Sequence, residues 1–163
     1  MTTVPSVRFA LPGRWVKAEL DDPEAVSTLR DLLPDDHPGS EAWLESLRAA
    51  GASTLLLRVQ SRSAAAIAFI WPPRESSGDP SLEGLRARLG VEGQSIAHER
   101  GYATVRDRRT GTGASQDVVT YGVSHPDTGR ILVVRCVAFD HTFEPIELED
   151  FDLAAGDLTW DET

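Results

Sequence analysis

Apolar and polar residues change their spacing several times along this chain, and each change predicts a different element. Residues 7–10 read as a short strand that turns at Pro12-Gly13 into residues 15–20. There Val16, Ala18 and Leu20 alternate with Trp15, Lys17 and Glu19, so an antiparallel hairpin is expected. Asp22-Pro23-Glu24 starts a helix with an acceptor at the cap, a proline in the first turn and an acid favoured by the helix dipole. Its buried stripe is Val26, Leu29 and Leu33. The run Pro34 to Gly39 breaks it, and Ser40 caps a second helix whose face carries Trp43 or Leu44, Leu47 and Ala50 before Gly51.

Residues 54–60 and 64–71 are rich in Leu, Ile, Val and Phe and flank the polar turn Ser61-Arg62-Ser63, a second expected hairpin. A polar loop over 72–80 leads to Ser81, which opens a short helix with Leu82, Leu85 and Leu89 on one face and Gly90 at its end. Strands are expected over 95–105, 117–124 and 130–139, the last two joined by the turn His125-Pro126-Asp127-Thr128-Gly129. Residues 147–160 read as a closing helix with Leu148, Phe151, Ala155 and Leu158 near one side and Gly156 as a weak point. Residues 131–139 are apolar at both odd and even positions, which in a sheet of hairpins demands cover on both sides. The expected class is α+β: one domain over 1–163, an antiparallel sheet with helices packed on both faces.

This order of elements resembles the Mog1/PsbP-like superfamily, an α/β/α sandwich. The likeness lies in a Phe9-x-Leu11-Pro12-Gly13-x-Trp15 strand pair, helices, an antiparallel meander and a final Phe151-Asp152 helix, and it spans nearly the whole chain. Phe9, Leu11, Pro12, Trp15, Phe151 and Asp152 mark structural positions and carry no chemistry. Members are mainly non-enzymatic: binders of a small GTPase, accessory subunits of photosystems, and chaperone-like adaptors for secreted bacterial effectors. The resemblance therefore implies protein binding without turnover. The chain departs from the photosynthetic members in lacking a transit peptide, and it shows no GTPase-binding motif.

Charge narrows the partners. Among 163 residues, 26 acidic against 16 basic side chains leave a net charge of -10, which opposes binding to nucleic acid and to anionic membranes. A single cysteine, Cys136, precludes an intramolecular disulfide; in its apolar run it reads as a buried, inert thiol. Residues 1–6 do not resemble a signal sequence and no run approaches the length of a membrane span, so a cytoplasmic protein is expected.

Candidate chemistry is sparse. Asp35, Asp36 and His37, His125 with Asp127, and Asp140 with His141 offer oxygen and nitrogen to a divalent ion, but each lies in or beside a turn where such side chains serve the backbone. Thr110-Gly111-Thr112-Gly113-Ala114-Ser115 lacks the Lys-Ser/Thr ending of a phosphate-binding loop and leads into a strand. No serine elbow is present and Cys136 has no assignable base, so no catalytic residue, cofactor or metal is expected. The basic group Arg100, Arg106, Arg108 and Arg109 reads either as an anion or acidic-peptide site or as a strand end paired with neighbouring carboxylates. Trp71-Pro72-Pro73 offers a flat aromatic contact.

The sequence thus predicts a non-catalytic protein-binding domain, an adaptor or chaperone for a secreted or membrane-inserting partner, with Trp71, Arg106, Arg108 and Arg109 as partner-binding residues. The alternatives are an acidic immunity-type inhibitor of a basic toxin and a metal-dependent hydrolase using His37, His125 or His141. A homodimer is compatible with the sequence, and no residue specifies one.

Overall fold

In the computed structural model the described residues are 6–32, 40–58, 65–72, 81–89, 93–110, 117–138 and 142–160. Strand β1 (Val7–Arg8) and strand β2 (Val16–Glu19) precede helices α1 (Pro23–Leu32) and α2 (Ser40–Ala49). Strands β3 (Ala52–Arg58) and β4 (Ala65–Ile70), helix α3 (Leu82–Leu89), and strands β5 (Gln94–Ser95), β6 (Ala103–Thr110), β7 (Asp117–Ser124) and β8 (Ile131–Ala138) follow. Helix α4 (Pro145–Gly156) and strand β9 (Thr159–Trp160) close the chain. The class is α+β, with short helices around a mostly antiparallel sheet.

Seven strands form one sheet in the order β2-β3-β4-β8-β7-β6-β5, and β1 and β9 form a separate two-stranded ribbon. Every pairing is antiparallel. At the centre, β4 pairs with β8 from Ala65↔Ala138 to Ile70↔Val133, and every residue of β4 is buried. Because side chains alternate across a strand, these apolar strands feed two cores on opposite faces. Ala66, Ala68, Ile70, Val133 and Val137 join one core with Leu55 and Leu57 of β3, Val26 of α1, Leu47 of α2 and Leu85 of α3. Ala65, Ile67, Phe69, Leu132, Val134 and Cys136 join the other with Phe143, Phe151, Ala155, Leu158 and Trp160.

Local signals act as their chemistry requires. The Asp22 carboxylate accepts the Glu24 N–H at 3.1 Å at the start of α1, and the Ser81 hydroxyl accepts the Gly84 N–H at 3.2 Å at the start of α3. The Arg58 guanidinium donates to Glu147 at 3.1 Å, tying β3 to α4, and lies 5.1 Å from the Trp15 ring centroid.

Three expected elements are corrected. Residues 7–10 and 15–20 do not pair: β1 pairs with β9, and β2 pairs with β3. The reason is burial on different faces, since Val7, Phe9, Leu11 and Trp15 pack on the second core while Ala18 and Leu20 belong to the first. The Pro12-Gly13 turn carries the chain between them. The strand expected over 95–105 is interrupted by a turn in which the Gly101 N–H donates to the His98 carbonyl; pairing resumes at Ala103 and runs to Thr110. The helix expected over 147–160 spans Pro145–Gly156 and gives way to β9, because Thr159 and Trp160 find backbone partners in Arg8 and Val7. Gly156, read as a weak point, sits at the helix end where a Cβ would lie 2.9 Å from the Ala97 carbonyl oxygen. The break over 34–39, the turn 61–63, most of the loop 72–80, and residues Asp140 and His141 lie outside the described residues, as do the side chains of Leu29 and Trp43.

Gly51 joins α2 to β3 with φ +98°, and its carbonyl accepts the Trp71 N–H at 3.0 Å. A Cβ there would stand 2.4 Å from the Trp71 carbonyl oxygen. Gly51→Ala should therefore lower stability by more than about 1 kcal/mol in urea unfolding, through both the left-handed backbone and the steric conflict.

Candidate functional site

Alternation along β6 divides the arginines expected to act together. Arg106 and Arg108 stand on the face shared with α4, and Arg109 stands on the other with Asp107. The Arg106 guanidinium bonds the Asp152 carboxylate of α4 and donates to Gln94 Oε1 at 2.6 Å. Arg108 grips Asp117 with two bonds, Nε to Oδ1 at 3.0 Å and Nη2 to Oδ2 at 2.7 Å. Arg109 Nε reaches Asp107 at 3.2 Å. Arg100 is exposed in the turn before Tyr102, apart from the β6 group. The reading of a strand end paired with carboxylates therefore describes all three β6 arginines.

The two ion pairs at the strand's end differ in kind. Asp117 is 0% exposed, Arg108 42% and Arg109 76%. Asp117 Oδ2 also accepts the Phe143 N–H at 2.9 Å, which anchors the chain entering α4. Its hydrogen bonds hold the Arg108 guanidinium above its usual pKa. Asp107 and Arg109 form a surface pair, screened by water.

Between β5, β6 and α4 runs a cleft of about 340 Å³, lined by Gly93, Gln94, Arg106, Asp107, Arg108, Val119 and Leu148. Its walls combine fixed guanidinium donors with an apolar floor. Gly93 is required at one end, since a Cβ would lie 2.5 Å from the Arg106 carbonyl oxygen. Deeper in, Tyr121 donates its hydroxyl to Asp152 Oδ1 at 2.6 Å, so Asp152 joins Arg106 and Tyr121 in one network. Burial first, and then the bond to Asp152, push the Tyr121 phenol far above its ordinary pKa. Burial, with the nearby Asp152 charge, does the same to the Cys136 thiol, which is fully buried as its apolar run implied.

Trp71 corrects the expectation of an exposed aromatic surface. It is buried, its ring packs edge-on against Trp160 at 5.4 Å, and Arg130 covers it at 4.5 Å from the ring centroid. Around it gather Tyr102, His98, stacked at 4.5 Å on Tyr102, and His125, 5.1 Å from Tyr102. Each histidine serves the backbone: His98 Nδ1 accepts the Arg100 N–H at 3.0 Å and its Nε2 donates to the Leu158 carbonyl at 2.8 Å. His125 Nδ1 accepts the Asp127 N–H at 3.2 Å. Among the described residues no group of three or more His, Cys, Asp or Glu is placed to hold a metal; Asp35, Asp36, His37, Asp140 and His141 lie outside them. Also among the described residues, no helix is long and apolar enough to cross a membrane.

Two features escaped the sequence reading. Ile146 and Leu153 are 59% and 68% exposed on the outer side of α4, opposite the inward Leu148 and Phe151. Their seven-residue separation, off the inward stripe, was the available signal. Arg135 is half-buried within β8, its guanidinium makes no hydrogen bond or ion pair among the described residues, and burial lowers its pKa.

Comparison with protein-family models, with curated proteins and with solved structures finds no match to this chain.

Two measurements check this network. Arg108→Ala, which removes the guanidinium that neutralises the buried Asp117 carboxylate, should cost about 3 kcal/mol in urea unfolding, whereas Arg109→Ala should change stability by less than about 0.5 kcal/mol. Tyr121 and Cys136 have folded pKa values raised above their unfolded ones, so their contribution is full below the unfolded values and is lost as pH rises past them. Stability should therefore fall as pH climbs from about 8.5 to 11, by up to about 1.4 kcal/mol per pH unit for each group. Cys136→Ala should remove the part that begins near pH 8.5.

Proposed function

We propose that this chain is a non-catalytic protein-binding domain of Mog1/PsbP-like plan, with helices on both faces of its sheet. It acts as an adaptor or chaperone for a secreted or membrane-inserting partner protein. The division of helix residues between the two cores, Val26, Leu47 and Leu85 in one and Phe151 and Ala155 in the other, supports the plan.

The outer side of α4 carries the function. Scattered apolar residues on a surface need no explanation, but Ile146 and Leu153 lie two turns apart on one line of a helix whose opposite side already fills the core. Such a line fits the apolar stripe of a partner helix, and the acidic exterior keeps the complex soluble. The second reading, an acidic inhibitor of a basic toxin, draws on the exposed Glu144 and Glu149 beside the same line and on the net charge of -10.

Ile146→Ser with Leu153→Ser tests the proposal. Affinity capture from the native lysate, with proteins identified by mass spectrometry, should yield one dominant partner that survives high salt and is lost from the variant at unchanged Tm. Equal capture by both proteins would remove the α4 surface from the binding account. Capture of a basic protein that salt abolishes would favour the inhibitor.

A further inference from the structure

Residues 7–15 cross the second core without joining the main sheet. Burial alternates along them: Val7, Phe9 and Leu11 are half-buried, while Arg8 and Ala10 are exposed, so one apolar edge of the segment lies on that core. Phe9 meets Phe69 edge-on with ring centroids 5.6 Å apart, and Val7 stands opposite Trp160 in the β1–β9 ribbon. The surface beneath is more deeply enclosed than the segment that covers it, since Phe69 and Trp160 are each 4% exposed.

This strap is held lightly at one end and firmly at the other. Facing residues of an antiparallel ladder alternate between a pair that exchanges two backbone hydrogen bonds and a pair that exchanges none, so Val7↔Trp160 and Arg8↔Thr159 together supply about two such bonds. Among the described residues, no other backbone bond joins residues 9–15 to another element. The firm end is Trp15, whose ring meets the Glu147-paired Arg58 guanidinium at 5.1 Å and whose Nε1 donates to the Pro12 carbonyl at 3.2 Å. Gly13, at φ +95°, makes the turn between the two ends. A two-stranded ribbon is marginal by itself, and a segment with few buried contacts opens at much lower cost than the sheet does.

We infer that residues 7–11 fill, in cis, a groove that takes an extended segment of a partner protein, and that binding replaces the strap by strand exchange on β9. The chemistry of the occupant is read from the segment that fills the groove now. It carries apolar side chains at alternate positions, an aromatic ring at the middle one to meet Phe69, and a backbone edge that pairs with β9. Outward positions, where Arg8 and Ala10 stand, have no such requirement. The strap competes with the partner at every encounter, so the apparent affinity is that of the bare groove reduced by the fraction of molecules with the strap open. This rests on the reading of the chain as a protein-binding domain, and it uses residues other than Ile146 and Leu153, so the two surfaces stand or fail separately.

The probe is the synthetic peptide Ser-Val-Arg-Phe-Ala-Leu-Pro-Gly, the chain's own residues 6–13, labelled with fluorescein and titrated against the full chain. Phe9→Ala, which loosens the strap and leaves the groove intact, should bind the peptide at least about tenfold more tightly than the wild type does. The peptide with alanine in place of its phenylalanine should bind neither protein. Arg8→Cys with Thr159→Cys puts thiols at facing positions of the ribbon, within the Cα separation that a disulfide spans. Oxidised, this variant should bind no peptide; reduced, it should bind at least as well as the wild type. Should Phe9→Ala fail to fold, the oxidised and reduced forms decide alone. Ile146→Ser with Leu153→Ser should bind the peptide as the wild type does, whatever the outcome of lysate capture. The inference is overturned if Phe9→Ala binds no more tightly than the wild type or if oxidation leaves binding unchanged. It is also overturned if oxidation links two chains, because the strap of a second copy then fills the groove.

Discussion

Strands β4 and β8 carry apolar side chains on both faces, and a sheet with such a centre is unstable in water until each face is covered. That single requirement organises the chain. Val26, Leu47 and Leu85 supply one cover; Phe143, Phe151, Leu158 and Trp160 supply the other. The polar strands β2 and β5 are left at the sheet's two margins, where water can reach one side. The arginine-rich β6 lies one strand inside, beside the very short β5.

The second cover depends on a polar anchor as well as on apolar fit. Asp117 opens β7, is fully buried, and holds both Arg108 and the Phe143 N–H, so the start of the segment leading into α4 is fixed to the sheet. Asp152, two turns into α4, reaches back to Arg106 and Tyr121. The same carboxylates that lock the helix down therefore orient the guanidinium groups lining the cleft. Structural ion pairing and a preorganised donor set are here one arrangement.

Much of the sheet was legible because its signals are local. The runs that became β3, β4 and β8 are largely apolar, the caps at Asp22 and Ser81 are single-residue cues, and the turn at His125 to Gly129 is marked by Pro and Gly. What was not legible depends on distant partners. Nothing within residues 7–20 says that Val7 will meet Trp160 and not Ala18, because a hairpin and two separate strands share the same alternation. Thr159 and Trp160 continue the apolar spacing of α4, and only the availability of β1 turns them into a strand. The arginines of β6 were visible as a basic group, but their carboxylates come from 9 and 46 residues away for Arg108 and Arg106, beyond any local pattern. Trp71 read as a contact surface because Pro72 and Pro73 follow it, whereas its burial is set by Trp160 and Arg130.

The β1–β9 ribbon joins the two extremes of the described chain, with Val7 beside Trp160 and Arg8 beside Thr159. Val7 leaves the ribosome long before Trp160 does. While residues 65–138 are already outside and able to pair, the aromatic face of Phe69 and Trp71 still awaits Trp160. Vectorial folding thus passes through a stage with one sheet face wet, and that face closes only after Trp160 has emerged, which leaves the nascent chain exposed to aggregation until then.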